Sequence, residues 1–379
     1  MTTVVEHLEN LIRIPSVSSL SNRPVAEYAV RVLNDAHWNT RLMTYVDPAG
    51  LEKVNLIAAP HRQDPEDPEA DLVFMCHTDT VPYAADWARA LDPFVLDGLL
   101  YGCGACDVKG FLACLLTAIS ESHMAELGSG LRLVLTADEE IGCLGVKRFI
   151  AADLIKPRRV VIGEPTSLHP ARAGKGYCLA EVTILGEEAH SAHPHQGKSA
   201  IYGAARFITA IEEHSTQLAA EQNDFFIPGY TTINVGTIMG GTAKNIVPGQ
   251  CKFQVEWRPL PGASGNSVLQ SITRIAERMK VADPSFKSEI KVLRQQAGFE
   301  TAEDSHLVRS IETLTQRSAT SIPFGSEASV LASVANEVVV FGPGDMRTAH
   351  SRRECVPLSE LHEAVCCIKS LMQNVYEIR

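Results

Sequence analysis

The stretch Leu72-Val73-Phe74-Met75-Cys76-His77-Thr78-Asp79-Thr80-Val81-Pro82 begins as an unbroken apolar run and ends in ionisable side chains. A run of strand length without polar alternation reads as a strand buried on both faces, and such strands belong to parallel sheets covered by helices. The same shape recurs along the chain. Residues 131–135 lead into Asp138-Glu139-Glu140, residues 160–162 into Glu164, and residues 338–341 pass through Gly342-Pro343-Gly344 toward His350. With helix-like stretches between the runs, the expected fold is α/β, a mostly parallel sheet with helices on both faces. Ligands bind beyond the carboxyl ends of the strands in such sheets, so the four polar clusters are expected to converge there.

The middle of the chain reads differently. In residues 253–258, Phe253, Val255 and Trp257 alternate with Gln254, Glu256 and Arg258, and helix-like stretches occupy 200–213 and 267–280. This predicts an inserted α+β unit over 173–295, with 1–172 and 296–379 forming the catalytic domain around it. At 379 residues the chain exceeds the size at which one core usually stops growing, which agrees with two units. Its 45% hydrophobic and 21% charged residues are those of a globular protein rather than a disordered one. The formal charge of −11 argues against nucleic acid or an anionic membrane as partner. No stretch approaches the ~20 apolar residues that span a bilayer. Glu6, His7, Glu9 and Asn10 interrupt the first apolar stretch, so no export signal is read, and a cytoplasmic protein with ten reduced cysteines is expected.

His77 and Asp79 stand two apart on an extended chain and point the same way, which lets Asp79 orient a metal-bound imidazole; a satisfied histidine at a strand end is the alternative. Asp107 directly precedes an apolar helix-like stretch, where a carboxylate is equally suited to helix capping. Glu139 and Glu140 repel one another unless a cation or proton intervenes, and one can bind metal while the other acts as general base. With Glu164 and His350 the clusters supply two imidazoles and three carboxylates, a donor set compatible with two divalent ions sharing a carboxylate. Zinc is expected first, with cobalt or manganese also suited.

In their order along the chain, His77-Thr78-Asp79-Thr80-Val81-Pro82, Cys106-Asp107-Val108-Lys109-Gly110, Asp138-Glu139-Glu140, Gly163-Glu164-Pro165-Thr166 and Gly342-Pro343-Gly344 with His350 resemble the signatures of a known family. It is the dinuclear-metal family of acetylornithine deacetylase, succinyl-diaminopimelate desuccinylase and carboxypeptidase G2. The resemblance implies His77 and Glu164 on one ion, Glu140 and His350 on the other, Asp107 between them, and Glu139 as general base. It also implies that the inserted unit is a ferredoxin-like lid and dimerisation domain of a homodimer, in which His190 stabilises the oxyanion at the neighbouring subunit's site. Ala171-Arg172-Ala173, Arg258-Pro259-Leu260-Pro261-Gly262 and Ser326-Glu327-Ala328 are most similar to the branch acting on N-acetylornithine. Arg258 and Asn245 are then expected to hold the substrate carboxylate, and Glu327 is the candidate for its side-chain amine, with capping of a helix beginning near Ala328 as the alternative.

The implied reaction is metal-dependent hydrolysis of an N-acyl amino acid, N-acetylornithine giving ornithine and acetate. A desuccinylase, a broader aminoacylase or dipeptidase, and a non-catalytic metal-dependent binder are the alternatives; Glu139 speaks against the last, since a binder needs no base. His193 and His195, beside His190, read as surface histidines. Cys103 and Cys106 depart from the family pattern and are expected to be accessible, oxidation-sensitive thiols near the site, with a redox or zinc CxxC the weaker reading.

Overall fold

The computed structural model describes residues 2–123, 126–220, 222–262 and 266–374, and the chain divides into two compact units. The first comprises Met1–Ala173, Glu300–Thr320 and Ser326–Arg379; the second comprises Gly174–Phe299 and Ser321–Gly325.

At the centre of the first unit's sheet lie four parallel strands, in the order Leu131–Thr136, Glu69–His77, Lys156–Gly163, Glu337–Phe341. They contain the four apolar runs of the sequence. All of Leu131–Thr136 and the last six residues of Glu69–His77 are buried, which is why these strands lack polar alternation. Antiparallel strands Trp38–Val46 and Glu52–Pro60 extend one edge, and the short Ala171–Gly174 adjoins the other. His77 stands opposite Thr136, Met75 opposite Ile162, and Phe341 opposite Gly163. This register sets the carboxyl ends level, and the segments that carry His77, Glu139, Glu140, Glu164 and His350 begin there.

The helix Lys109–Glu121 has eleven of its thirteen residues buried, as expected of a segment apolar on all sides. It packs against the helices Val4–Arg13, Arg23–Asp35 and Leu358–Gln373. Two glycines let it approach the site. A Cβ at Gly163 would lie 2.0 Å from the Phe111 ring, so only glycine fits beside that ring, one residue before Glu164. Gly344 has the left-handed φ of 92°, and a Cβ there would come within 2.5 Å of Cys106 Cβ.

The second unit is a four-stranded antiparallel sheet in the order Thr232–Gly240, Gln250–Arg258, Tyr177–Leu185, Lys287–Gln296. Helices Ala200–Leu218 and Asn266–Ala282 fall between strands to complete the ferredoxin-like β-α-β-β-α-β order. Cys251, Phe253, Val255 and Trp257 point from Gln250–Arg258 into a core shared with Phe207, Ile211 and Ile272, with the Phe207 and Phe253 rings 5.6 Å apart. Among the described residues, no helix is long and apolar enough to cross a membrane.

Candidate metal and catalytic centre

His77 ends its strand, Asp107 lies in the loop before Lys109–Glu121, and Glu139, Glu140 and Glu164 follow the two parallel strands that flank the His77 strand. His350 lies in the loop after Glu337–Phe341. The fold brings all six together. Asp107 divides the set in two: its Oδ1 lies 3.2 Å from His77 Nε2, and its Oδ2 lies 2.9 Å from His350 Nε2. Glu164 Oε1 is 4.0 Å from the same nitrogen of His77, and Glu140 Oε1 is 3.3 Å from that of His350. One ligand atom from each of His77, Asp107 and Glu140 also falls within 4.8 Å of the others. Asp107 does not cap the helix, whose N-cap residue is Val108 without a side-chain hydrogen bond.

The cluster is deep on one side and open on the other. His77, Asp107, Glu139 and Glu164 are buried, whereas the His350 side chain is 48% exposed. Burial raises the Glu139 carboxyl to about 8, with Glu140, Glu327 and Asp79 adding to the effect against His77. Burial likewise pushes Glu164 well above the carboxylate range, and the charge of Asp107 reinforces it. Contacts with Asp107 and Glu140 raise His350 to about 10. For His77, burial acts downward, but Asp107 and Asp79 outweigh it and hold the imidazole well above its usual value. Burial opposes ionisation of Asp107 too, yet the imidazoles of His350 and His77 keep it below the usual range. The carboxylates therefore call for more positive charge than the side chains supply except by protonating both histidines. A divalent cation answers that demand, and the N/O donor set fits one.

Supporting groups fix the site from behind. His77 Nδ1 lies 2.9 Å from the Asp79 main-chain carbonyl and 3.7 Å from its carboxylate, so the carbonyl sets the tautomer that turns Nε2 toward Asp107. The Asp79 carboxylate accepts instead from Ser18 Oγ (2.7 Å) and from the N–H groups of Glu139 (3.1 Å) and Glu140 (3.4 Å). Cys143 Sγ donates to Glu139 Oε1 at 3.3 Å.

Two supports come from residues outside the sequence motifs, one from Glu354 and one from Lys53 with Tyr45. Glu354 Oε1 accepts from the N–H groups of Cys106 (3.3 Å) and Asp107 (3.2 Å), which anchors the loop that presents Asp107. Asp138 turns away from the cluster to pair with Lys53 at 2.7 Å and accept from Tyr45 Oη at 2.8 Å. Breaking a buried pair of this kind by removing one partner costs about 3–5 kcal/mol.

Two expectations need correction or detail. Cys103 and Cys106 are buried rather than accessible; burial raises the Cys103 thiol to about 11 and holds Cys106 well above its usual value. Oxidants react with the thiolate, and burial with a raised pKa disfavours that form in both cysteines. Glu327 is wholly buried, within electrostatic reach of His77 and Asp79, and burial raises it to about 7. A sealed carboxylate offers no open surface to a substrate amine, and although Glu327 occupies a helix N-cap position it makes no capping hydrogen bond.

His190, Asn245 and Arg258 belong to the second unit. His190 bridges to Ile246 and Ser191 N–H donates to the Asn245 carbonyl at 3.0 Å, so His190 and Asn245 share an exposed loop pair. Arg258 stands apart from them in its contacts: its guanidinium stacks 3.8 Å from the Tyr177 ring centroid and donates to Glu256 at 3.0 Å. His193 and His195 are exposed, as the sequence suggests.

Carboxylates and imidazoles packed this closely away from water are the setting of metal-dependent hydrolysis, and the chain is a hydrolase of linear amide bonds. It belongs to peptidase family M20/M25/M40, whose model matches residues 73–374. It is 41% identical over 355 residues to an acetylornithine deacetylase of Myxococcus xanthus, covering 93% of this chain and 92% of that one. In fold it is similar to aminopeptidase PepT of Bacillus cereus, with a TM-score of 0.76, 21% identity and 98% of both chains covered. A dinuclear-metal-binding peptidase of the M20 family from Bacillus subtilis matches at a TM-score of 0.71 and 14% identity, over 99% of this chain and 98% of that one.

Proposed function

We propose that the chain hydrolyses N-acetylornithine to ornithine and acetate, using Glu139 to move the proton and two divalent ions, zinc in the first instance, held by the residues around Asp107. The observation that carries this reading is the division of the cluster by Asp107, one oxygen toward His77 and the other toward His350. His77 with Glu164 and His350 with Glu140 then form two separate donor sets that share one carboxylate. Divalent ions held by these residues would supply polarisation of a carbonyl and a lowered pKa of water.

Glu139 has no imidazole partner of its own and sits between Asp138, which is tied to Lys53, and Glu140, which faces His350. It is therefore the carboxylate left to take the proton of the attacking water and return it to the leaving amine. Burial of the site limits competing water. Arg258, flattened against Tyr177, presents a guanidinium plane of the kind that recognises a substrate carboxylate, with Asn245 as a further polar contact.

The substrate follows from the Myxococcus xanthus relative, named an acetylornithine deacetylase. In a panel of N-acyl amino acids, kcat/KM for N-acetylornithine should exceed those for N-acetylmethionine and N-succinyl-diaminopimelate by at least about 10-fold, well within what a site achieves between a substrate whose polar groups it pairs and one it does not fit. A lead for the methionine derivative would make the chain an aminoacylase, and a lead for the succinyl compound a desuccinylase.

We also propose a homodimer in which His190 serves the neighbouring subunit's site. Its support is the edge strand Thr232–Gly240, where Ile238 is 52% and Met239 is 74% exposed, with Tyr202 of the adjoining helix 70% exposed. An unpaired apolar edge of this kind is a pairing surface. Mixing inactive His190→Ala and Glu139→Gln chains should restore partial turnover, because one site of each hybrid has both groups. Proven exchange of subunits without recovery would refute the shared site.

A further inference from the structure

We infer that Lys53 is a positioning residue for Glu139, acting through a closed ring of hydrogen bonds and one ion pair that runs through Ser18, Asp79 and Asp138; this rests on the reading of Glu139 as the proton-transfer group. Lys53 lies on the strand Glu52–Pro60 and is 1% exposed. A lysine ammonium has three donors. Here it donates to the Ser18 carbonyl at 2.5 Å and the Leu20 carbonyl at 2.9 Å, and its charge pairs with Asp138 Oδ1 at 2.7 Å. One cation thus ties the 18–20 loop to the turn that carries Glu139.

The ring closes on the other side. Ser18 Oγ donates to Asp79 Oδ2 at 2.7 Å, and Asp79 Oδ1 accepts from Glu139 N–H at 3.1 Å. Asp138, covalently next to Glu139, returns to Lys53 and is held on its second oxygen by Tyr45 Oη at 2.8 Å. Asp138 has a left-handed φ of 61°, a conformation that a non-glycine residue adopts at a cost and that needs outside support. The two ends of the Asp138-Glu139 step are therefore fixed independently, one by Lys53 and Tyr45, the other by Asp79. Neither Lys53 nor Tyr45 touches His77, Asp107, Glu140, Glu164 or His350 by any recorded contact. The direct route from both residues to the reaction runs through Asp138 to Glu139; the route from Lys53 through Ser18 and Asp79 also reaches His77 and Glu140, and a Glu139→Gln background separates the two.

The variants to prepare are Lys53→Met, which keeps the length of the side chain and removes its charge, and Tyr45→Phe, which removes only one hydrogen bond. Lys53→Met should lower kcat about 100-fold, the scale of a roughly 1 Å misplacement, with KM changed less than about 3-fold and metal content unchanged. Tyr45→Phe should lower kcat about 10-fold on the same grounds. The decisive readout is non-additivity: in a Glu139→Gln background, Lys53→Met should reduce the residual rate by less than about 3-fold, because the group it positions is already gone. A purely structural role predicts the same loss in both backgrounds and would overturn the inference, as would wild-type kcat in folded Lys53→Met. If Lys53→Met does not fold, Tyr45→Phe decides: a wild-type kcat there overturns the inference, and a selective fall in kcat at unchanged Tm upholds it. Near-normal turnover in Glu139→Gln alone would instead sink the reading of Glu139, whatever the Lys53 variants do.

Discussion

Glu139→Gln is expected to lower kcat about 1000-fold while the chain keeps its full metal content, since a positioned general base contributes about 100- to 10,000-fold. Glutamine matches glutamate in shape and retains an oxygen for the Cys143 thiol, which approaches Glu139 Oε1 at 3.3 Å. The N–H of residue 139 still donates to Asp79, so the turn is kept. Only the ability to take and return a proton is lost. Neighbouring Glu140 cannot substitute, because it faces His350 at 3.3 Å. The loss should therefore fall on kcat, with KM for the N-acyl amino acid nearly unchanged.

Asp107→Asn should have the opposite signature, losing metal together with turnover. In the native chain the two oxygens of Asp107 face His77 at 3.2 Å and His350 at 2.9 Å, and its charge is stabilised by both imidazoles. Asparagine keeps one oxygen and forfeits the charge, so one donor set loses its shared ligand and both lose a negative neighbour. Disturbing a hydrogen-bond partner of a metal ligand costs about 10- to 100-fold in affinity, and loss of a ligand itself should exceed the upper figure. The backbone of the loop should survive, because Glu354 binds the N–H groups of residues 106 and 107 rather than the altered side chain. Metal titration followed by far-UV circular dichroism checks both halves: weak binding in a folded chain is expected, and near-native affinity would remove Asp107 from the centre of the metal site.

The parts of the site that were legible in the sequence are those where local pattern and chemistry coincide. The runs at 72–75, 131–135, 160–162 and 338–341 announce buried parallel strands because covering both faces of a strand forbids polar alternation. Their polar continuations announce the site because a level register brings adjacent strand ends together. Lys53, Tyr45, Ser18 and Glu354 were not legible. Each is an isolated polar residue whose importance lies in a contact distant along the chain, as Glu354 is from Asp107, and no local period records it.

The cysteines show the converse error. Proximity of Cys103 and Cys106 to Asp107 in sequence suggested accessible thiols, but the same loop is packed under Gly344 and the Phe111 helix. Sequence adjacency to a ligand conveys distance, not exposure. Glu327 carries the same lesson, since an acidic residue near the site need not face the substrate.

The central claim is that amide hydrolysis depends on metal held by the cluster that Asp107 divides. Its most direct test is a zinc titration of the chelator-stripped chain, with bound metal per chain and release of free amine from N-acetylornithine followed in the same samples. No turnover in the stripped chain, and recovery as zinc fills two sites per chain, is the predicted result. Full turnover without metal, or recovery complete at a single zinc per chain, would contradict the two-ion reading.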